Sequence, residues 1–246
     1  MTSSDTRTGR AASHRASRVG VAWRRLWDAA RHGDFTRVAI VTSRRLGMGL
    51  VKFEHMRYLK RSAWPDQGAP AAARAAGLEA SKADRTDLPR LRTAFPHNAR
   101  QYEARLRRGD LCVLLSRAAQ PVAMTWVRVD NSRLLQNGCH IRLPSDACWI
   151  YDTFVAPAMR GYGLFHTLMS TAFNEVRRMG LSRTFLAVHH DNIVSVRAHE
   201  QAGYAPALAI STLHVGWARW HRLEWPSGEA IWRFSPEARP PRVQLA

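Results

Sequence analysis

The chain has 246 residues, 46% of them hydrophobic, so it can bury a substantial core and is not a disordered polyelectrolyte. Its formal net charge is +18, from 37 Lys and Arg against 19 acids, with lysine only at positions 52, 60 and 82. Such a surface favours acidic partners without choosing among nucleic acid, anionic lipid, an acidic protein or a phosphorylated ligand. Cys112, Cys139 and Cys148 offer no metal-ligand spacing, and no secretory signal is visible. Buried free thiols in a reducing, cytoplasmic setting are therefore expected. No run of 18 apolar residues is present, so no membrane-spanning helix is predicted.

Residues 1–17 read as a disordered tail rich in Ser and Arg. From Val19 an apolar stripe at helical spacing (Val19, Trp23, Leu26, Trp27, Ala30) predicts an amphipathic helix ringed by arginines. Gly33 stops it, and Asp34 caps a second helix predicted to run to about Arg61, which makes 18–63 a basic helical extension. Residues 1–61 hold 14 Lys and Arg against four acids, more than half of the excess charge. The stripe is expected to pack on the main domain or on a second subunit, so a homo-oligomer stays open. A basic helix with two tryptophans on its apolar face also suits peripheral contact with an anionic membrane, or an acidic protein, through residues 18–61. Nucleic acid is not expected, because no docking motif accompanies the charge. Residues 64–76, rich in Pro, Gly and Ala, form a linker.

From Gly77 to about 235 the pattern is mixed α/β. Leu78–Ser81 is a short strand and Asp84–Phe95 a helix; Leu111–Ser116 and Val122–Val129 have hairpin spacing. Cys148–Val155 is a strand, Leu164–Met179 a helix ended by Gly180, Thr184–Val188 a strand, and Ile193–Ala202 a helix closed by Gly203. Leu208–Val215 and Ala230–Phe234 are further strands, and 236–246 is a tail. Trp217, Trp220, Trp225 and Trp232 are expected mainly in the core.

The segment VAPAMRGYGLF (155–165) puts Arg160, Gly161 and Gly163 where a strand hands over to a helix. A helix's first turn leaves N–H groups unpaired and partly positive, and glycines let backbone approach an anion. The turn is thus a candidate phosphate cradle. It lacks the Lys and Ser/Thr of a P-loop and the glycine spacing of a dinucleotide fold. About 30 residues on comes DNIVSVRAHEQAGY (191–204), an Asn-opened helix followed by Gly and an aromatic.

Together these segments resemble the GNAT superfamily of acyl-CoA-dependent N-acetyltransferases. The first matches that family's Val-x-Pro followed by Arg-Gly-x-Gly; the second aligns Asn192, Ser195, Glu200, Gly203 and Tyr204 with its Asn-opened segment. The motifs cover 149–204 and the element order 77–235. The resemblance implies a twisted mixed α/β sheet in which two parallel strands, 149–155 and 184–188, splay apart. It implies acetyl-CoA or another acyl-CoA as co-substrate and a small-molecule or peptide amine as acceptor. Pantetheine would follow Phe154 and Val155, and the pyrophosphate would take N–H groups from Arg160, Gly161, Tyr162, Gly163, Leu164 and Phe165. Asn192 would hold the thiol end. The chain departs from the pattern with Phe165 at the last cradle position. It has His199 where many members carry a tyrosine acid, and Ala187 where some carry a glutamate base.

Amine acylation needs a base for the ammonium proton and an acid for the departing thiolate. His199 is the candidate acid and Asp152, among aromatic strand residues, the candidate base, with His189 and His190 in reserve. No metal is expected, since adjacent histidines on a strand face opposite ways. Two alternatives are an acyltransferase fed by an acidic carrier protein, and a catalytically silent GNAT-like binding module anchored by its basic helices.

Overall fold

The structure, a computed structural model, describes residues 51–62, 77–130, 132–135, 138–236 and 241–245. The helix predicted from Val19 and the linker over 64–76 lie outside the described residues. Among these residues the elements run β1 (Val51–Arg61), β2 (Glu79–Ala83), α1 (Leu88–Ala94), α2 (Ala99–Arg107), β3 (Leu111–Arg117) and β4 (Gln120–Arg128). Then come β5 (Ser132–Leu134), β6 (His140–Arg142), β7 (Ala147–Val155), α3 (Leu164–Arg178), β8 (Arg183–His189) and α4 (Ile193–Gln201). The chain continues through β9 (Ala205–Val215), β10 (Ala218–Glu224), β11 (Ala230–Pro236) and β12 (Arg242–Gln244). The described strands form a nine-stranded sheet, β11-β10-β9-β1-β8-β7-β4-β3-β2, and a small sheet, β12-β6-β5.

Two expectations are corrected. Residues 51–61, expected as helix, are a strand that runs antiparallel between β8 and β9, with Met56 opposite His189 on one side and Ile210 on the other. Both faces of this strand are covered: Leu59 packs with the α3 cluster, while Tyr58 joins Trp149, Phe185 and Leu208 on the opposite face. Polarity therefore does not alternate along it, and the period-2 signal is lost. Residues 242–244, expected in a tail, pair in parallel with β6, and Val243 and Leu245 are buried beneath the sheet.

Amphipathic α3 fixes the layer on one face. Leu168, Ala172 and Val176, spaced by one turn, are fully buried against Val113 and Leu115 of β3 and Ala123 and Val127 of β4. Each large side chain so buried contributes about 1.5–3 kcal/mol. On the other face, α1 and α2 bring Leu91, Phe95 and Tyr102 onto Cys112, Leu114, Met124 and Trp126. Successive residues of β3 thus enter two different cores, which explains its unbroken apolar run. Asp84 opens the α1 region with a reciprocal capping box to Asp87.

The tryptophan cluster is also corrected. Trp217, in the turn between β9 and β10, and Trp232, on β11, are exposed, and Trp220, on β10, is partly so; Trp225 packs partly against the β1–β9 core. All three cysteines are buried and form no disulfide.

Candidate active site

Strands β7 and β8 pair in parallel over three residues, Ala147 with Arg183 through Trp149 with Phe185. Beyond that point they diverge, β7 staying with β4 and β8 with β1. The gap is a cleft of ≈ 980 Å³.

On the β7 side the divergence coincides with a bulge. Trp126 opposes Tyr151 and Met124 opposes Phe154, so Thr125 alone faces Asp152 and Thr153. Asp152 takes φ +52°, a left-handed conformation that Asp tolerates better than most residues. Its carboxylate is engaged on both oxygens. Arg105 Nη1 lies 2.5 Å from Oδ2, Asn98 Nδ2 donates to Oδ2 at 3.0 Å, and His97 Nε2 stands 3.1 Å from Oδ1. The Arg105 guanidinium is itself buried, 4.9 Å from the Tyr151 ring and 5.1 Å from that of Trp126. Asp152, predicted as a base, is thus one half of a largely buried ion pair that holds the bulge.

The predicted cradle lies at the N-terminus of α3. Gly161 and Gly163 have φ of +85° and +73°, and no atom lies within 4 Å of where a Cβ would stand on either. The turn can therefore receive a bulky anion, with the first-turn N–H groups of Leu164 and Phe165 lacking intrahelical acceptors. Arg160 curls back, its Nε donating to Val155 O at 3.2 Å and its guanidinium 5.7 Å from the Phe154 ring. Exposed Tyr162 leaves the cradle open, Leu164 packs with Leu78 on its flank, and Phe165 turns toward the core.

The cleft brings Phe154, Val155, Arg160, Asn192 and His199 together. Asn192 caps α4, its Oδ1 accepting from Ser195 N at 3.2 Å, which leaves Nδ2 available to a ligand. His199 is buried, edge-on to Phe165 at 4.8 Å. Its Nδ1 donates to the Ser195 carbonyl at 2.7 Å, so in the neutral ring Nε2 carries no proton. Burial pushes its pKa down, against the smaller opposing effect of that hydrogen bond. The structure separates the two reserve histidines. His189 lines the cleft opposite Met56, whereas His190 accepts from Arg57 Nε at 3.0 Å and lies against His55.

Glu54, Met56 and Tyr58 of β1, with Arg105 and Trp149, also line the cleft and were not predicted there. A Glu-x-Met-x-Tyr spacing on a strand is the signal that could have found the first three, because it puts them on one face. The helical reading of this segment hid it.

The sequence model described as the acetyltransferase (GNAT) family matches residues 79–204. No protein of curated function matches the chain in sequence. A Drosophila protein of solved structure is similar at 14% identity and a TM-score of 0.45, over 74% of this chain and 57% of its own. The chain thus spans little more than half of that neighbour's length. A Novosphingobium aromaticivorans protein described as a GNAT acetyltransferase is 14% identical over 68% of each chain, with a TM-score of 0.46. A Salmonella typhimurium protein, described as an acetyltransferase with its cofactor acetyl-CoA, is 18% identical over 55% of this chain and 80% of its own, at 0.39.

Two outcomes follow from the buried ion pair and the buried imidazoles. Arg105→Met takes the buried guanidinium from the Asp152 carboxylate, leaving it Asn98 and His97, and is expected to cost about 3–5 kcal/mol in chemical denaturation, much of it recovered when Asp152→Asn is added. An Arg105→Met protein of unchanged stability would contradict the pairing. The second concerns pH. Burial lowers the pKa of His199, of His214 and of fully buried His221, the last to about 4. Between the ordinary histidine value near 6.5 and those lowered values, the unfolded chain binds more protons than the folded one. Stability from these groups is complete above about pH 6.5. It falls as pH drops toward 4, each group adding a slope of up to about 1.4 kcal/mol per pH unit. Thermal unfolding from pH 7.5 to 4.5 reads this, and His221→Gln should flatten the slope.

Proposed function

The chain belongs to the acetyltransferase (GNAT) family, and from that premise we propose that it moves an acyl group, acetyl by default, from acyl-CoA to an amine. The observation that carries this reading is the gap between β7 and β8 with the bare-glycine start of α3 at its mouth. Acyl-CoA, when bound, supplies the thioester carbonyl carbon. Its pyrophosphate would lie on the N–H groups of 160–165, and its pantetheine along the edge of β7 at Phe154 and Val155, which β8 leaves unpaired.

The amine nitrogen attacks the thioester carbon, the carbon–sulfur bond breaks, and the sulfur leaves with the bonding pair. The ammonium form must give up one proton before attack; the nitrogen loses a second as the amide forms, and the thiolate takes up one. One proton per turnover reaches solvent. His199 is neutral near pH 7, with a bare Nε2, so it acts first as a proton acceptor from the nitrogen. The imidazolium so formed then protonates the sulfur. This reverses the order expected of an acid at that position. Asp152, tied to Arg105, serves as a positioning residue that fixes the curvature of β7. Asn192 Nδ2 donates at the thiol end. Three buried, unbridged cysteines suit work in a reducing compartment, the cytoplasm.

Thermal unfolding of the full chain with CoA or acetyl-CoA tests the reading. At a hundred times its Kd, a ligand of the folded state adds about 2.7 kcal/mol, a shift of several degrees. Gly163→Asp, which sets a side chain and a negative charge in the cradle, should abolish the shift. No shift at millimolar CoA in folded protein would overturn the proposal.

A further inference from the structure

The helical layer on one face of the large sheet ends at β1. The core cluster under α3 and α4 takes in Leu59 of β1 but no residue of β9, β10 or β11. On the opposite face these three strands are sealed, with Leu208, Ile210 and Leu223 in the core and Ile231 packed against it. Their alternate residues point away from that core, toward the side the helices occupy elsewhere on the sheet. Phe53, Leu213, Trp220 and Phe234 are register partners across β1, β9, β10 and β11 and form one row of that face. The rings of Trp220 and Phe234 lie 5.4 Å apart. Phe234 is nevertheless 56% exposed, and Trp232, two residues before it on the same face, 69%. Leu213 and Val215 are exposed beside them. The three aromatics alone leave on the order of 300 Å² in water, at about 150–250 Å² for each whole side chain. A folded chain seldom leaves a contiguous apolar patch of that size bare unless something binds there.

Charge and chain entry point to the occupant. Arg222 and Glu224, the charged residues of β10 on this face, pair with each other, so the face suits an apolar cover better than an anionic bilayer. Residues 1–50 precede β1, which begins at Val51 opposite Val215, at the end of β9 that carries Leu213. The helix predicted from Val19 lies in that stretch, outside the described residues. Its stripe from Val19 to Ala30 would be about 17 Å long. The row from Phe53 to Phe234 crosses four strands, about 14 Å. Residues 31–50, at up to about 3.3 Å each, reach across such a span with ease. A tether of this kind holds the stripe at an effective concentration of roughly millimolar, well above that of a second copy in dilute solution.

We propose that residues 19–30 dock on the bare face of β9, β10 and β11 of the same molecule, through Val19, Trp23, Leu26, Trp27 and Ala30 against Leu213, Trp220, Trp232 and Phe234. The arginines that ring the stripe then face water. The proposal is independent of the acyl-transfer reading.

Thiol labelling of the full-length chain tests it. The three native cysteines are buried, so a maleimide reports on a cysteine placed in the face, Leu213→Cys. Adding Trp23→Asp and Trp27→Asp should speed its labelling at least tenfold, and tenfold dilution of the parent should leave the rate unchanged. Val215→Cys serves as reporter if Leu213→Cys does not fold. In the reciprocal arm, Trp232→Asp should speed labelling of Ala30→Cys as much. The proposal is overturned if the paired Asp substitutions leave the labelling rate of the face unchanged. Protection that disappears on dilution would assign the face to a second copy and overturn it too. So would protection that arises only when phosphatidylglycerol vesicles are added, which would assign the face to an anionic membrane.

Discussion

Two parallel strands that pair for three residues and then part leave facing backbone edges that something else must satisfy or use. That divergence of β7 from β8 is the constraint on which the site depends. It is held from both sides. β7 bends away through the bulge at Asp152, whose left-handed backbone is stabilised by the ion pair to Arg105 on α2. β8 is held by β1, paired over Met56 to Arg61. The start of α3 follows directly from β7, so the cradle and the open strand edge come from one stretch of chain. The cleft is thus a rigid consequence of strand pairing, which suits a reaction that depends on holding two reactants in register.

The insertion of β1 changes the meaning of neighbouring residues. Gly203 has φ +81°, and a Cβ there would stand 2.7 Å from Arg61 Nη1. The motif glycine therefore serves close packing of β1 against the turn that ends α4, as well as its own left-handed turn. Part of the basic charge of the N-terminal quarter is in this way built into the domain: Arg57 donates to His190, and Arg61 is buried.

What was legible in the sequence follows from how each element meets its surroundings. Helix α3 has one buried and one wet face, so its period was plain. β3, β4, β7 and β8 are apolar runs bounded by turn residues. The turn before α3 was legible because two glycines at a strand–helix junction mark left-handed backbone, which Gly161 and Gly163 adopt at φ +85° and +73°. β1 was not, since Glu54, His55 and Arg57 are polar residues placed inward or half-buried for reasons that only the site and its partners supply. β10 hid likewise, because its most buried residue is His221, held by Thr212 and Ser235 at 3.0 Å each. In α2 the buried positions are Tyr102 and Arg105, too few to form a stripe. Asp152 was singled out for the right reason, a carboxylate among aromatics, but its partner lies 47 residues away in sequence. Charge pairing at that distance cannot be read from spacing.

The central claim is that β1 is an interior strand of the domain. Amide hydrogen exchange of the full chain tests it most directly. If β1 lies between β8 and β9, the amides of Met56 to Lys60 exchange only with global unfolding, as slowly as those of Leu186 and Val188. Fast exchange of Met56 to Lys60 while Leu186 and Val188 stay protected would contradict it, and would remove Glu54 from the cleft.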